Sequence, residues 1–105
     1  MDQFTVYRNR NPRTRGMFPL FLDVQSDLLE DLETRVVIPM TQVSALKRKP
    51  ISTLTPVVKV EGGDYLLLTP QLFGIARAHL GAPVTNIAPS RKAIMASLDM
   101  LVSGI

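Results

Sequence analysis

The sequence predicts a mainly β fold, a small barrel with one C-terminal α-helix packed at its end, and three observations carry that prediction. Short runs rich in β-branched and aromatic residues recur along the first part of the chain, separated by proline, glycine and asparagine. The tetrapeptide Glu61-Gly62-Gly63-Asp64 stands between two such runs, as a tight β-hairpin turn would. Beyond Pro89 the apolar spacing changes to three and four, the period of a helix. About five to seven short antiparallel strands and one helix are most simply hidden from their own edges in a barrel.

Taken in order, Gln3 to Asn9 alternates, with Phe4 and Val6 on one face and Thr5 and Tyr7 on the other, the period of a half-buried strand. Asn11-Pro12 marks a turn inside a basic loop. Phe18 to Val24 reads as a second strand with Pro19 near its start. Asp23 to Thr34 is an acidic connection with room for one short helical turn, and Arg35 to Met40 a third strand ending at Pro39. Thr41 to Lys49 predicts a short helix capped by Thr41 and stopped by Pro50. Thr55 to Val60 and Tyr65 to Thr69 form the arms of the hairpin. Gln71 to Leu80 predicts one more short strand, broken by Gly81-Ala82-Pro83.

Ile94, Leu98, Leu101, Val102 and Ile105 then make the stripe of an amphipathic helix, with Pro89 in its first turn and Gly104 at its end. Its charges run the wrong way. Arg91 and Lys92 stand near the N-terminus and Asp99 near the C-terminus, each opposed by the helix dipole by about 0.3–1 kcal/mol.

A chain of 105 residues has room for one core, so residues 1–105 are expected to form a single domain. Its 46% hydrophobic and 20% charged residues are ordinary globular values. The absence of cysteine excludes disulfides, thiolate metal sites and a cysteine nucleophile. The polar N-terminus MDQFTVYRNR does not read as a signal peptide, and no run of about 18 apolar residues predicts a membrane span, so a soluble cytoplasmic protein is expected. The net charge of +3 is unevenly spread. Arg8, Arg10, Arg13 and Arg15 crowd one segment and Lys47, Arg48 and Lys49 another, while Asp23, Asp27, Glu30, Asp31 and Glu33 fall between them. Such zoning can steer an acidic and a basic partner to different faces.

Catalytic chemistry is hard to find. The lone His79 lies beside Arg77 with no local carboxylate to orient it as a base. One histidine cannot build a metal site, and Asp27, Glu30, Asp31 and Glu33 lack calcium-loop spacing. No phosphate-binding loop is present, and the few aromatics offer no stacking platform for RNA. A non-enzyme without cofactor or metal is expected. The apolar ending Leu101-Val102-Ser103-Gly104-Ile105 has two readings: it folds back into the core, or it is a binding tip where Gly104 lets a partner's backbone approach.

The order QFTVY, basic loop, FLDVQSDLL, RVVIPM, central hairpin and terminal helix ending in Gly-Ile resembles the CcdB family of toxins. The resemblance covers essentially the whole chain and is strongest over Gln3 to Met40 and in the last helix. It implies a homodimer with an SH3-like β-barrel of the CcdB/MazF toxin type. It also implies a toxin that poisons DNA gyrase by inserting into the A-subunit dimer and trapping the cleaved-DNA complex. A CcdA-like antitoxin with a disordered acidic tail would strip the toxin from gyrase, and the pair would bind operator DNA through the antitoxin. Carried over by residue, the gyrase-binding set is Ser26, Leu28, Leu29, Asp99, Val102, Ser103, Gly104 and Ile105. The antitoxin-binding set is Tyr7, Arg8, Arg10, Arg13 and Arg15, with Lys47, Arg48 and Lys49. One departure stands out: toxic members carry tryptophan before the terminal Gly-Ile, packed on a gyrase arginine, and this chain has Ser103. That change removes about 0.5–2 kcal/mol of cation–π attraction. Asp99 also takes a position where a neutral amide can occur. Two other readings stay open, a MazF-like endoribonuclease on the same barrel and a non-toxic homologue that binds only an antitoxin-like partner.

Overall fold

The structure, a computed structural model, describes residues 2–46 and 52–104. Lys47, Arg48, Lys49 and Ile105, all expected contact residues, lie outside the described residues. The strands are β1 (Thr5–Asn9), β2 (Leu20–Asp23), β3 (Thr34–Gln42), β4 (Val57–Val60), β5 (Gly63–Leu67), β6 (Phe73–Ala76) and β7 (Leu80–Asn86), followed by the helix α1 (Arg91–Ser103). They form one curled antiparallel sheet in the order β4-β5-β3-β2-β1-β7, with β6 paired to the first half of β3. The expected mainly β architecture with a single C-terminal helix is the one found.

Alternation explains how the sheet is covered on both faces. Val6, Leu20, Leu22, Ile38 and Met40 point inward and join Phe4, Val58, Val60, Leu67, Ile87 and Ile94 of α1 in the main core. Their neighbours Tyr7, Phe21 and Val37 point the other way and join Leu80 in a smaller cluster, flanked by Phe18 and Ile75. This is why β2 and the centre of β3 read as continuous apolar runs. Phe4 sits at φ 71°, a left-handed conformation costing an L-residue about 1–2 kcal/mol. Its N–H donates to the Asp23 carbonyl at 2.7 Å, its carbonyl accepts from Ile87 at 2.9 Å, and its ring is buried, which offsets the strain.

The hairpin forms as expected, and more tightly. Val60 pairs with Gly63, leaving Glu61 and Gly62 as a two-residue turn at φ 50° and 81°. Both central residues at positive φ make the turn that suits the twist of an antiparallel pair, and glycine takes the second place without strain.

Four expectations need correction. β3 does not end at Pro39 but runs on to Gln42. The Val24 N–H donates to the Val36 carbonyl, so even-numbered residues of β3 turn their backbone groups to β2 and Pro39 turns away. On that other side β6 pairs residues 34–37 and β5 pairs 40–42, so the missing N–H falls where the strand changes partner. Among the described residues the helix expected over Thr41 to Lys49 is a single 3-10 turn, Val43–Ala45, because Thr41 is a buried strand residue and caps nothing; its last part, Lys47 to Lys49, lies outside the described residues.

Gly81-Ala82-Pro83 does not break the chain; it lies inside β7. Pro83 is accommodated because β7 is an edge strand whose register with β1 shifts on both sides of Tyr7. Gly81 is needed for close approach, since a Cβ there would lie 2.5 Å from the Arg8 carbonyl oxygen. Finally, the stripe on α1 holds for Ile94 and Leu98, weakens at half-buried Leu101 and fails at Val102, which is 84% exposed. The buried polar residue on that face is Ser97, which accepts from the Thr69 hydroxyl at 3.0 Å and donates to the Ile94 carbonyl at 2.7 Å.

Candidate functional site

The β1–β2 and β2–β3 connections leave opposite ends of β2, so the basic loop and the acidic loop are separated by the length of that strand. Charge zoning in the sequence thus becomes separation in space. The segment Arg77–His79 crosses between the two ends. Arg77 donates from its backbone to the Glu33 carbonyl and from its guanidinium to the Glu30 carbonyl, both at 2.9 Å, while the Ala78 carbonyl accepts from Arg10 at 3.1 Å.

At the acidic end, Ser26 caps a single 3-10 turn, Asp27–Leu29, its hydroxyl accepting from the Leu28 N–H at 3.2 Å. Asp27 accepts from the Gln3 N–H at 2.7 Å. The turn lifts Leu28 to 94% exposure and leaves Leu29 and Leu32 about half exposed. Three leucines on an exposed loop are an apolar surface without local packing to explain it.

Beneath them lies a buried polar network. The Arg35 Nε donates to Asp23 Oδ2 at 2.8 Å with both side chains fully buried. The other carboxylate oxygen of Asp23 accepts from the Gln25 N–H at 3.0 Å, and Arg35 Nη2 reaches the Gln25 carbonyl at 3.4 Å. The Gln25 side chain accepts from the Val36 N–H and donates to the Leu29 carbonyl, both at 3.0 Å. Sequence reasoning missed this network. Its signal was an opposite charge at the edge of each of two apolar strands, Asp23 closing β2 and Arg35 near the start of β3.

At the helix end Gly104 adopts φ 74° and its N–H closes on the Met100 carbonyl at 3.0 Å, ending α1 in a left-handed cap. Val102, Ser103 and Gly104 are exposed, as is Asp99, whose carbonyl accepts from the Ser103 hydroxyl at 2.7 Å. Among the described residues no hydrogen bond or ion pair ties this last turn to the acidic loop. The first turn is the part held near the loop's base: the Arg91 guanidinium lies 5.4 Å from the centre of the Phe4 ring. That contact is worth about 0.5–1 kcal/mol, enough to cancel the unfavourable dipole at this position.

At the basic end Arg8, Arg10, Arg13 and Arg15 are exposed, but Tyr7 is buried in the smaller core. Any part it takes in a contact comes through the strand it anchors. A groove of about 620 Å³ opens beside the loop, lined by Arg10, Phe18, Phe21, Phe73, Ile75 and His79 among others. The Phe21 and Phe73 rings meet edge to face at 5.4 Å on its floor.

Burial raises the Tyr7 phenol above its ordinary value near 10, and the Asp23 carboxylate raises it further. The unfolded chain therefore releases this proton first as the pH climbs. Stability is whole below about pH 10 and falls from there towards the higher folded value. Urea denaturation of the native protein should show this alkaline loss, and Tyr7→Phe should show less of it; equal losses would mean the phenol is freely solvated.

Among the described residues no group of histidine, aspartate or glutamate side chains is placed to hold a metal ion, and no helix is long and apolar enough to cross a membrane. The two ends of β2 differ in character: one carries an acidic loop with protruding leucines, the other a basic loop beside an apolar groove. Compared with known families, residues 3–104 match the sequence model described as CcdB protein.

Proposed function

From its membership of the CcdB family, to which this chain belongs, we infer that the protein is the toxin half of a toxin–antitoxin pair and that it acts by binding the gyrase A subunit. The family is one of gyrase-directed toxins rather than catalysts. The match over residues 3–104 carries this reading. The geometry supports it. In the proposed complex Ser26, Leu28 and Leu29 dock from the acidic loop and Asp99, Val102, Ser103, Gly104 and Ile105 from the end of α1. Two copies in a homodimer present each element twice, matching the two-fold symmetry of the gyrase A dimer. The protein then holds gyrase on cleaved DNA without performing a reaction of its own.

An acidic antitoxin tail is drawn to the other end, where Arg10 lines the groove, Arg8, Arg13 and Arg15 are exposed on the same segment, and Lys47, Arg48 and Lys49 follow in sequence. The acidic loop repels such a tail, so the two partners approach opposite ends of one strand.

The test is binding of purified protein to immobilised gyrase A, with linear plasmid accumulating when gyrase and DNA are both present. Ser103→Trp should tighten the interaction about tenfold, by restoring an aromatic surface for an arginine. Ser103 is exposed, so the larger ring meets no core. No binding by either form overturns the reading, and no gain from tryptophan means the tip docks in another way.

A further inference from the structure

Leu28 and Leu29 present a puzzle of presentation. A side chain that is 94% exposed gains nothing from packing, so Leu28 cannot hold its own turn in place. Three of the turn's restraints, the Ser26 cap, the Asp27 bond to Gln3 and the Arg77 bond to the Glu30 carbonyl, lie at the surface where water competes. The fourth is different. Gln25 is only 6% exposed, and its carboxamide spans from the sheet to the turn, taking the Val36 N–H on one side and giving to the Leu29 carbonyl on the other. Its orientation is unambiguous, because a backbone N–H requires the amide oxygen and a backbone carbonyl requires the amide nitrogen.

Gln25 is in turn held at its root. Its own N–H and carbonyl are gripped by Asp23 and Arg35, which pair with each other in the interior. A continuous chain of contacts thus runs Arg35, Asp23, Gln25, Leu29, from a fully buried guanidinium to the loop that carries the protruding leucines.

We propose that Gln25 is a positioning residue for target binding: its carboxamide locks the Asp27–Leu29 turn to β3 so that Leu28 and Leu29 are presented to gyrase already ordered. This rests on the function proposed above and adds a residue that does not itself touch the target. A loop ordered before contact loses less conformational freedom on docking.

Gln25→Glu isolates the effect. The carboxylate still accepts from Val36 and gains attraction to Arg35, but it cannot donate to Leu29 and repels that carbonyl. Gln25→Leu, which is neutral and removes both bonds, covers the case where the new carboxylate unsettles the fold. Three measurements are made on each full-length variant: affinity for purified gyrase A, the urea midpoint, and hydrogen exchange of the backbone amides. Expected are affinity about tenfold weaker, faster exchange confined to residues 26–30, and a urea midpoint close to that of the native protein for at least one variant. Unchanged affinity in a variant with a loosened loop overturns the proposal. So does a loss of affinity that only tracks a general fall in stability, since that is what a merely structural residue would give. Failure of the native protein to bind gyrase A refutes the proposed function itself, a result separate from either of these.

Discussion

Asp23→Ala should destabilise the fold by about 3–5 kcal/mol, because it leaves the Arg35 guanidinium charged, fully buried and without its counter-ion. A small domain is stable by only about 5–15 kcal/mol, so the variant stands near the edge of folding at ambient temperature. The carboxylate does more than pair. One oxygen holds Arg35 and the other holds the Gln25 N–H, so its loss also frees the root of the acidic loop. Urea denaturation gives the measurement, the midpoint falling with little change in slope. The double variant Asp23→Leu with Arg35→Met should recover much of the loss, because neither charge then remains in the interior. A cost below about 1 kcal/mol for Asp23→Ala would mean that water reaches the pair.

Leu28→Asp should weaken binding to gyrase A by 100-fold or more while leaving the urea midpoint unchanged, an effect of about 2.7 kcal/mol or greater on association alone. The separation follows from exposure: a side chain 94% in solvent contributes almost nothing to the core. Burying a carboxylate in an apolar contact has a large penalty, and Asp27, Glu30 and Asp31 nearby already repel a further negative charge. Calorimetric titration of the variant into gyrase A reads the affinity directly. Binding within a few-fold of the native protein would remove this loop from the interface and leave the end of α1 as the sole candidate.

These two variants divide the molecule into what supports and what is presented. Asp23 and Leu28 are five positions apart, yet one is fully buried and the other almost fully exposed. In the sequence they sit in a single run, FLDVQSDLL, where a strand to Val24 passes into an acidic connection. The pair Leu28-Leu29 falls on that connection. The structure turns it outwards because β2 ends at Asp23 and the chain must leave the sheet before entering β3.

Other parts were legible. The Glu61-Gly62 turn, the alternation in β1, and the C-terminal helix with its glycine stop all follow from local rules that need no distant partner. The misread segments share a cause. Pro39 and the Gly81-Ala82-Pro83 sequence look like breakers because local rules assume a strand bonded on both sides. A proline at a change of partner, or on an irregular edge strand, gives up nothing that the sheet requires. Thr41 looked like a cap for the complementary reason: its hydroxyl suits a helix start, but β5 claims the residue for the sheet.

By itself the sequence determined the class of fold, the succession of most of its elements, the two charge zones and the kinship with gyrase-directed toxins, since composition, local periodicity and motif order are properties of neighbours along the chain. Only the tertiary structure decided that the charge zones stand at opposite ends of β2, that Asp23 and Arg35 meet in the interior, and that Gln25 bridges β3 to the leucine-bearing turn. Those facts depend on the pairing of β2 with β3, which joins residues 14 to 20 positions apart through backbone hydrogen bonds whose register no short stretch of sequence records.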